Sequence, residues 1–240
     1  MKILSAEFVT SAAAGGRADG IPADGLGQIA FAGRSNVGKS TLLNALARRK
    51  IARTSAAPGK TRLANIYRLS VEGGPGGPGT WGAYFVDLPG YGYARGGDDS
   101  ATELAAVARA YFESATPVAR HFSGATTLET RTADEESSDA ALKSRATGAG
   151  ANRATLLLID SRHPGLDLDR DAHRWLTTVA GPPQIVATKI DKLSRSERVR
   201  NLKELERVFG CAPLPVSAVG GEGLDELWRL IAKVARDQRQ

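Results

Sequence analysis

The sequence predicts an α/β fold: a mostly parallel six-stranded sheet with one antiparallel pair and helices on both faces. Three observations carry this. Apolar, strand-like runs alternate with helix-periodic segments along much of the chain. A glycine-rich loop, GRSNVGKS, occupies the first strand-to-helix junction at residues 33–40. Two neighbouring strand patterns are joined by GGPGGPGT, which reads as a hairpin loop and makes that pair antiparallel in an otherwise parallel sheet.

Taken in order, the apolar run Ile29, Ala30, Phe31, Ala32 marks a buried strand over 28–32, and Leu42, Leu43, Leu46 and Ala47 mark a helix over 39–49. Strands follow at 63–71 and 82–86, flanking the hairpin loop, then a helix at 102–112. The remaining strands are expected at 154–159, 184–187 and 213–216, with helices over 168–179, 195–209 and 224–236. Residues 1–27 read as a partly disordered leader, loosest over the Ala-, Gly- and Asp-rich 11–27, ahead of one domain over 28–240. Residues 123–151, rich in Ser, Thr, Ala, Glu and Gly, carry almost no large apolar side chains. Such a segment cannot offset its ordering entropy and is expected to be a disordered insertion.

The chain has 240 residues, enough for one large α/β domain with an insertion. Hydrophobic residues make up 42%, yet no apolar stretch reaches the 18 or so residues of a membrane span. The N-terminus lacks the apolar core of a signal peptide, and the single Cys211 rules out an internal disulfide framework, so a cytoplasmic protein is expected. The net charge of +6 is uneven. Between Phe31 and Val71 lie Arg34, Lys39, Arg48, Arg49, Lys50, Arg53, Lys60, Arg62 and Arg68, with no Asp or Glu. Such a field attracts a polyanion, and the Arg48-Arg49-Lys50 cluster with Arg53 reads as an RNA-facing patch.

Gly33, Arg34, Ser35, Asn36, Val37, Gly38, Lys39 and Ser40 fit the G-x-x-x-x-G-K-S phosphate loop in full. The backbone N–H groups and the helix N-terminus of such a loop face an anion, with Lys39 reaching the β- and γ-phosphates and the Ser40 hydroxyl ligating Mg²⁺. Asp87-Leu88-Pro89-Gly90, at the end of the strand pattern 82–86, gives the hhhDxxG sensor. There the Asp87 carboxylate can hold a Mg²⁺-bound water and the Gly90 N–H can touch the γ-phosphate. Thr188-Lys189-Ile190-Asp191 follows another apolar strand and fits [NT]KxD. The Asp191 carboxylate accepts from guanine N1–H and the exocyclic amine, Lys189 can lay its stem along the purine, and the Thr188 hydroxyl can tie loops together. Val216-Ser217-Ala218 closes the set, with the Ala218 N–H aimed at guanine O6. In Gly59-Lys60-Thr61 the threonine can reach Mg²⁺ and the γ-phosphate. Together these segments predict GTP and GDP binding.

FAGRSNVGKS, ARTSAAPGKT, DLPGYGYA, DSRHP and TKIDKL resemble the EngB (YihA/YsxC) family of bacterial GTPases, from about residue 8 to the C-terminus. The resemblance implies a Ras-like P-loop NTPase fold of the TrmE-Era-EngA-EngB-Septin-like branch. It also implies a role in large ribosomal subunit assembly and, in some species, in cell division and septation. By the same resemblance Ser40 and Thr61 are Mg²⁺ ligands, Lys39 a phosphate ligand, and Lys189 with Asp191 the guanine readers. Two departures stand out: the polar 123–151 stretch and a long GGPGGPGT loop.

Ras-type enzymes place a water-orienting Gln directly after DxxG; here that position is Tyr91. Slow intrinsic hydrolysis, raised by a partner, is therefore expected. Asn36, Thr61 and Gly90 are the catalytic candidates. Asn36 either holds K⁺ near the β- and γ-phosphates or shapes the loop. The expected partners are GTP, GDP and a large-subunit precursor or its rRNA, with no membrane and a monomeric state. Two other readings compete: an RNA-binding scaffold that uses nucleotide structurally, and a P-loop nucleotide kinase.

Overall fold

The computed structural model describes residues 1–12, 22, 24–52, 63–91, 106–112 and 153–236. In chain order the elements are β1 (Lys2–Ala12), β2 (Gly27–Gly33), α1 (Lys39–Ala47), β3 (Ala64–Glu72), β4 (Thr80–Asp87) and the helical residues 106–112 (α2). Then come β5 (Arg153–Asp160), α3 (Asp167–Ala180), β6 (Gln184–Thr188), α4 (Arg195–Phe209), β7 (Leu214–Pro215) and α5 (Leu224–Arg236).

The seven strands form one sheet in the order β1-β3-β4-β2-β5-β6-β7. From β4 to β7 every neighbouring pair is parallel, and β3 runs antiparallel to β4. The expected hairpin is present: Asn65↔Asp87 through Glu72↔Thr80 are in continuous register, and Gly73 N donates to Gly79 O (2.9 Å) across the loop. The expectation of six strands is corrected to seven. Lys2–Ala12, placed above in a leader, pairs antiparallel with β3 at the sheet edge and adds a second antiparallel ladder. Its pattern was hard to read because alternation along β1 is weak: Leu4, Phe8 and Val9 are exposed, and the register shifts between Ile3 and Ser5 and between Phe8 and Thr10. The remainder of the leader, residues 13–21 and 23, and the 123–151 insertion lie outside the described residues.

Strand periodicity sorts the core into two layers. On β2, Ile29 and Phe31 point to one face and Ala30 and Ala32 to the other; on β5, Leu156 and Leu158 oppose Leu157 and Ile159 in the same way. The first face is covered by α1 through Leu42, Leu43 and Leu46, and by α5 through Leu227, Trp228 and Ile231. Trp228 meets Trp81 (ring centroids 6.1 Å) and Phe85 (5.9 Å). The second face is covered by α2, α3 and α4 through Val107, Tyr111, Leu176, Leu205 and Phe209. β2 is buried on both faces over its full length, as the central strand of a parallel sheet must be.

Helix ends follow their capping chemistry. α4 starts on a capping box, Ser194 with Glu197, and stops at Gly210 in the left-handed conformation (φ 70°). α1 ends two residues before the sequence pattern suggested. Arg48 turns left-handed, and the Asn44 amide captures the returning chain by accepting from Ile51 N and Ala52 N, both at 2.8 Å. No helix among the described residues is long and apolar enough to cross a membrane.

Candidate nucleotide site

The C-terminal ends of β2, β4, β5 and β6 lie side by side, and four of the expected sequence segments emerge from or beside them. β2 runs straight into the phosphate loop. Gly38, with φ 104°, makes the turn that a side chain would strain, and its carbonyl accepts the first α1 hydrogen bond from Leu42 N (2.9 Å). α1 carries no acid in its first turn, so the positive end of its dipole is free for a phosphate. Asn36 is left-handed too (φ 64°), a conformation that asparagine tolerates better than most side chains.

β4 delivers Asp87 beside this loop, in register with Phe31 of β2, and Lys39 Nζ forms an ion pair with the buried Asp87 carboxylate. The lysine expected at phosphate and the carboxylate expected at a Mg²⁺-bound water are thus in contact. Leu88 N donates to Phe31 O (3.1 Å) and carries the chain past the loop to Gly90. A Cβ on Gly90 would lie 3.0 Å from Ser35 Oγ and 3.1 Å from Ser35 N, so a larger residue there would crowd the close approach of the two loops.

The base-side segments are tied to the phosphate side by hydrogen bonds. The buried Thr188 hydroxyl donates to Val37 O (2.7 Å) and lies 3.1 Å from Ile159 O. Lys189, left-handed at φ 59°, reaches back over the loop, and its Nζ donates to Asn36 O (2.5 Å) and Asp160 Oδ2 (2.9 Å). Ser217 donates from Oγ to Asp191 Oδ1 (2.8 Å), which joins the Val216-Ser217-Ala218 segment to the aspartate. That hydrogen bond, with help from Lys192, holds the exposed Asp191 carboxyl below its ordinary value, so it is ionised near neutral pH and can accept. Gly59, Lys60 and Thr61 lie outside the described residues.

Two carboxylates were given no role in the sequence reading, although DSRHP opens on one of them. Asp160 ends β5 and accepts from Arg162 Nε (2.9 Å), Arg162 Nη2 (2.7 Å) and Lys189 Nζ. Burial alone would raise its carboxyl, but these donors outweigh it and set the value at about 2. The signal was legible: LLLID repeats the apolar-run-then-Asp pattern that identified Asp87. Asp169, in the first turn of α3, is buried and accepts from Arg34 Nε (3.0 Å) and the Tyr91 hydroxyl (2.9 Å). Nothing in DLDRD distinguishes it from Asp167 or Asp171 except helical phase. Burial pushes the Tyr91 phenol well above 10, and the Asp169 charge and hydrogen bond push the same way, so the phenol stays a donor.

Thr188→Val keeps the shape and removes the donor to Val37 O. The buried carbonyl is then unpaired, and stability should fall by about 1–3 kcal/mol in urea unfolding, with weaker GDP binding. An unchanged midpoint and affinity would show that the bridge contributes nothing.

Comparison with known proteins agrees with this geometry. Residues 28–189 match the family described as 50S ribosome-binding GTPase. The "Probable GTP-binding protein EngB" of Solibacter usitatus (strain Ellin6076) is 37% identical over 232 residues, covering 96% of this chain and 96% of that protein. Among solved structures, Aquifex aeolicus Era bound to GDP.AlF4⁻ superposes with a TM-score of 0.59 at 23% identity, over 87% of this chain and 56% of that one. A probable GTP-binding protein EngB superposes with a TM-score of 0.51 at 20% identity, over 88% and 99%. At these identities the two structures speak for a shared Ras-like fold. The chain belongs to the EngB family of GTP-binding proteins, and it is a GTPase.

Proposed function

We propose that this GTPase is a nucleotide-dependent switch in assembly of the large ribosomal subunit. In this reading it docks on a pre-ribosomal particle or its rRNA with GTP bound and leaves after hydrolysis. The observation that carries it is the joining of the phosphate loop to the TKID segment through Thr188 and Lys189, with Ser217 bonded to Asp191 beyond them, an arrangement that can register one nucleotide at both ends. Membership of a family described as 50S ribosome-binding GTPase, and the exposed Arg48, Arg49 and Lys50 beside α1, support a ribosomal partner.

In this proposal Lys39 turns its ammonium from Asp87 to the β- and γ-phosphates, while backbone N–H groups from Gly33 to Ser40 cradle them. Asp191 accepts from guanine N1–H and its exocyclic amine, the Lys189 stem lies along the purine, and the Ala218 N–H reaches O6. A Gly90 N–H meets the γ-phosphate. The donors suit Mg²⁺, which takes hard oxygen ligands and keeps waters and substrate phosphates in its shell. Among the described residues no three His, Cys, Asp or Glu side chains could hold a metal by themselves. Ser40 and Thr61 would ligate the ion, with Asp87 acting through water, and its charge would offset that of the transferred group. A K⁺ ion beside Asn36 would add positive charge at the same phosphates, although the positive φ and the carbonyl bound to Lys189 also give Asn36 a loop-shaping role. The protein acts as a cytoplasmic monomer, and its hydrolysis is slow until a partner completes the site.

Three measurements test this. In co-sedimentation with large-subunit particles, binding should be strongest with GTP, weaker with GDP, and should fall steeply with salt. Equal sedimentation in all nucleotide states would favour the scaffold reading. Asp191→Asn should move preference from guanine towards xanthine nucleotides, and an unchanged GTP preference removes the base-reading role. Turnover should be higher in KCl than in NaCl, and equal rates dispense with K⁺.

A further inference from the structure

The side chains of Arg34 and Tyr91 have no part in the nucleotide chemistry outlined above, yet they meet on one buried carboxylate. Arg34 Nε lies 3.0 Å and 3.2 Å from the two oxygens of Asp169, and the Tyr91 hydroxyl donates to Asp169 Oδ1 at 2.9 Å. Asp169 is 0% exposed. The three residues come from the phosphate loop, the chain just after DLPG, and the first turn of α3. A backbone contact reinforces them: Ser35 N donates to Tyr91 O (3.0 Å), and Arg34 and Tyr91 form a parallel bridge.

We propose that Arg34, Tyr91 and Asp169 form a clasp that fixes the DxxG loop against the phosphate loop for hydrolysis. Tyr91 is then a positioning residue and not a stand-in for the water-orienting glutamine of Ras-type enzymes. The inference rests on the GTPase site described above. A carboxylate buried this deeply must keep its donors, because leaving one unmade costs the desolvation of a charged group. The phenol is therefore committed to α3 and is not available to a water at the γ-phosphate. What it secures is the placement of its chain neighbour, Gly90, against Ser35, where an added Cβ would be crowded. The clasp also connects both loops to α3, so a partner that shifts α3 would change the spacing of the two loops.

The test compares the full chain with Tyr91→Phe, Tyr91→Gln, Asp169→Asn and the Tyr91→Phe/Asp169→Asn double variant. Single-turnover GTP hydrolysis and GDP affinity are measured for each. Tyr91→Phe should slow hydrolysis about tenfold with less than about a twofold change in GDP affinity, because one charge-assisted hydrogen bond to the positioning carboxylate is lost. Tyr91→Gln should also be slower than the parent, since the amide cannot replace the phenol at Asp169. The double variant should be no slower than Asp169→Asn alone. Parent-like hydrolysis by Tyr91→Phe, or faster hydrolysis by Tyr91→Gln, overturns the clasp, and these two variants decide even if Asp169→Asn folds poorly. A fall in GDP affinity that matches the fall in rate would make the contact a brace for the fold and would also overturn it. Failure of the parent to take up any guanine nucleotide would instead overturn the site itself.

Discussion

A phosphate loop has to leave its backbone N–H groups pointing into the space where an anion sits. It therefore cannot stabilise itself in the way a helix or a ladder does, and its carbonyls and flanks must be held from outside. In this chain the Thr188 hydroxyl takes the Val37 carbonyl and Lys189 takes the Asn36 carbonyl. Both contacts reach about 150 residues along the sequence, to the end of β6. The phosphate-binding geometry is thus a property of the whole parallel sheet and not of the local glycine pattern.

Electrostatics is arranged to match. Asp87 and Asp160 end adjacent parts of the sheet, each buried and each facing a cation from a nucleotide segment: Lys39 for the first, Lys189 for the second. A buried carboxylate without such a partner would neutralise itself by taking a proton. The pairing holds two lysine side chains at the site. Asp169 likewise faces Arg34.

Much of this was legible in the sequence, for identifiable reasons. The strands β2, β4, β5 and β6 announce themselves because two-sided burial forces apolar runs, and the nucleotide segments because backbone geometry restricts their residues to a few types. The β3–β4 hairpin followed from a connection rich in glycine and proline. β1 did not show itself: an edge strand with one neighbour, two register shifts and exposed Leu4, Phe8 and Val9 has no sharp alternation to display. Asp169 was hidden for a different reason. Its importance depends on which side of α3 faces Arg34 and Tyr91, and one carboxylate among three in a row carries no mark of that. Asp160, by contrast, repeated a pattern already recognised at Asp87.

The two ends of the site are not equally anchored. The phosphate loop grows from β2, flanked by ladders on both sides, whereas the segment expected at the base follows β7, which pairs with β6 through Leu214 and Pro215 and a Val216 N to Ala187 O hydrogen bond (2.8 Å). Pro215 has no N–H to give to that ladder, and the following turn is kept in place by Ser217 N to Glu222 O and by Ser217 to Asp191. This rim frays at lower cost than the loop beside β2. Under the proposed nucleotide placement, this is the end at which opening would begin.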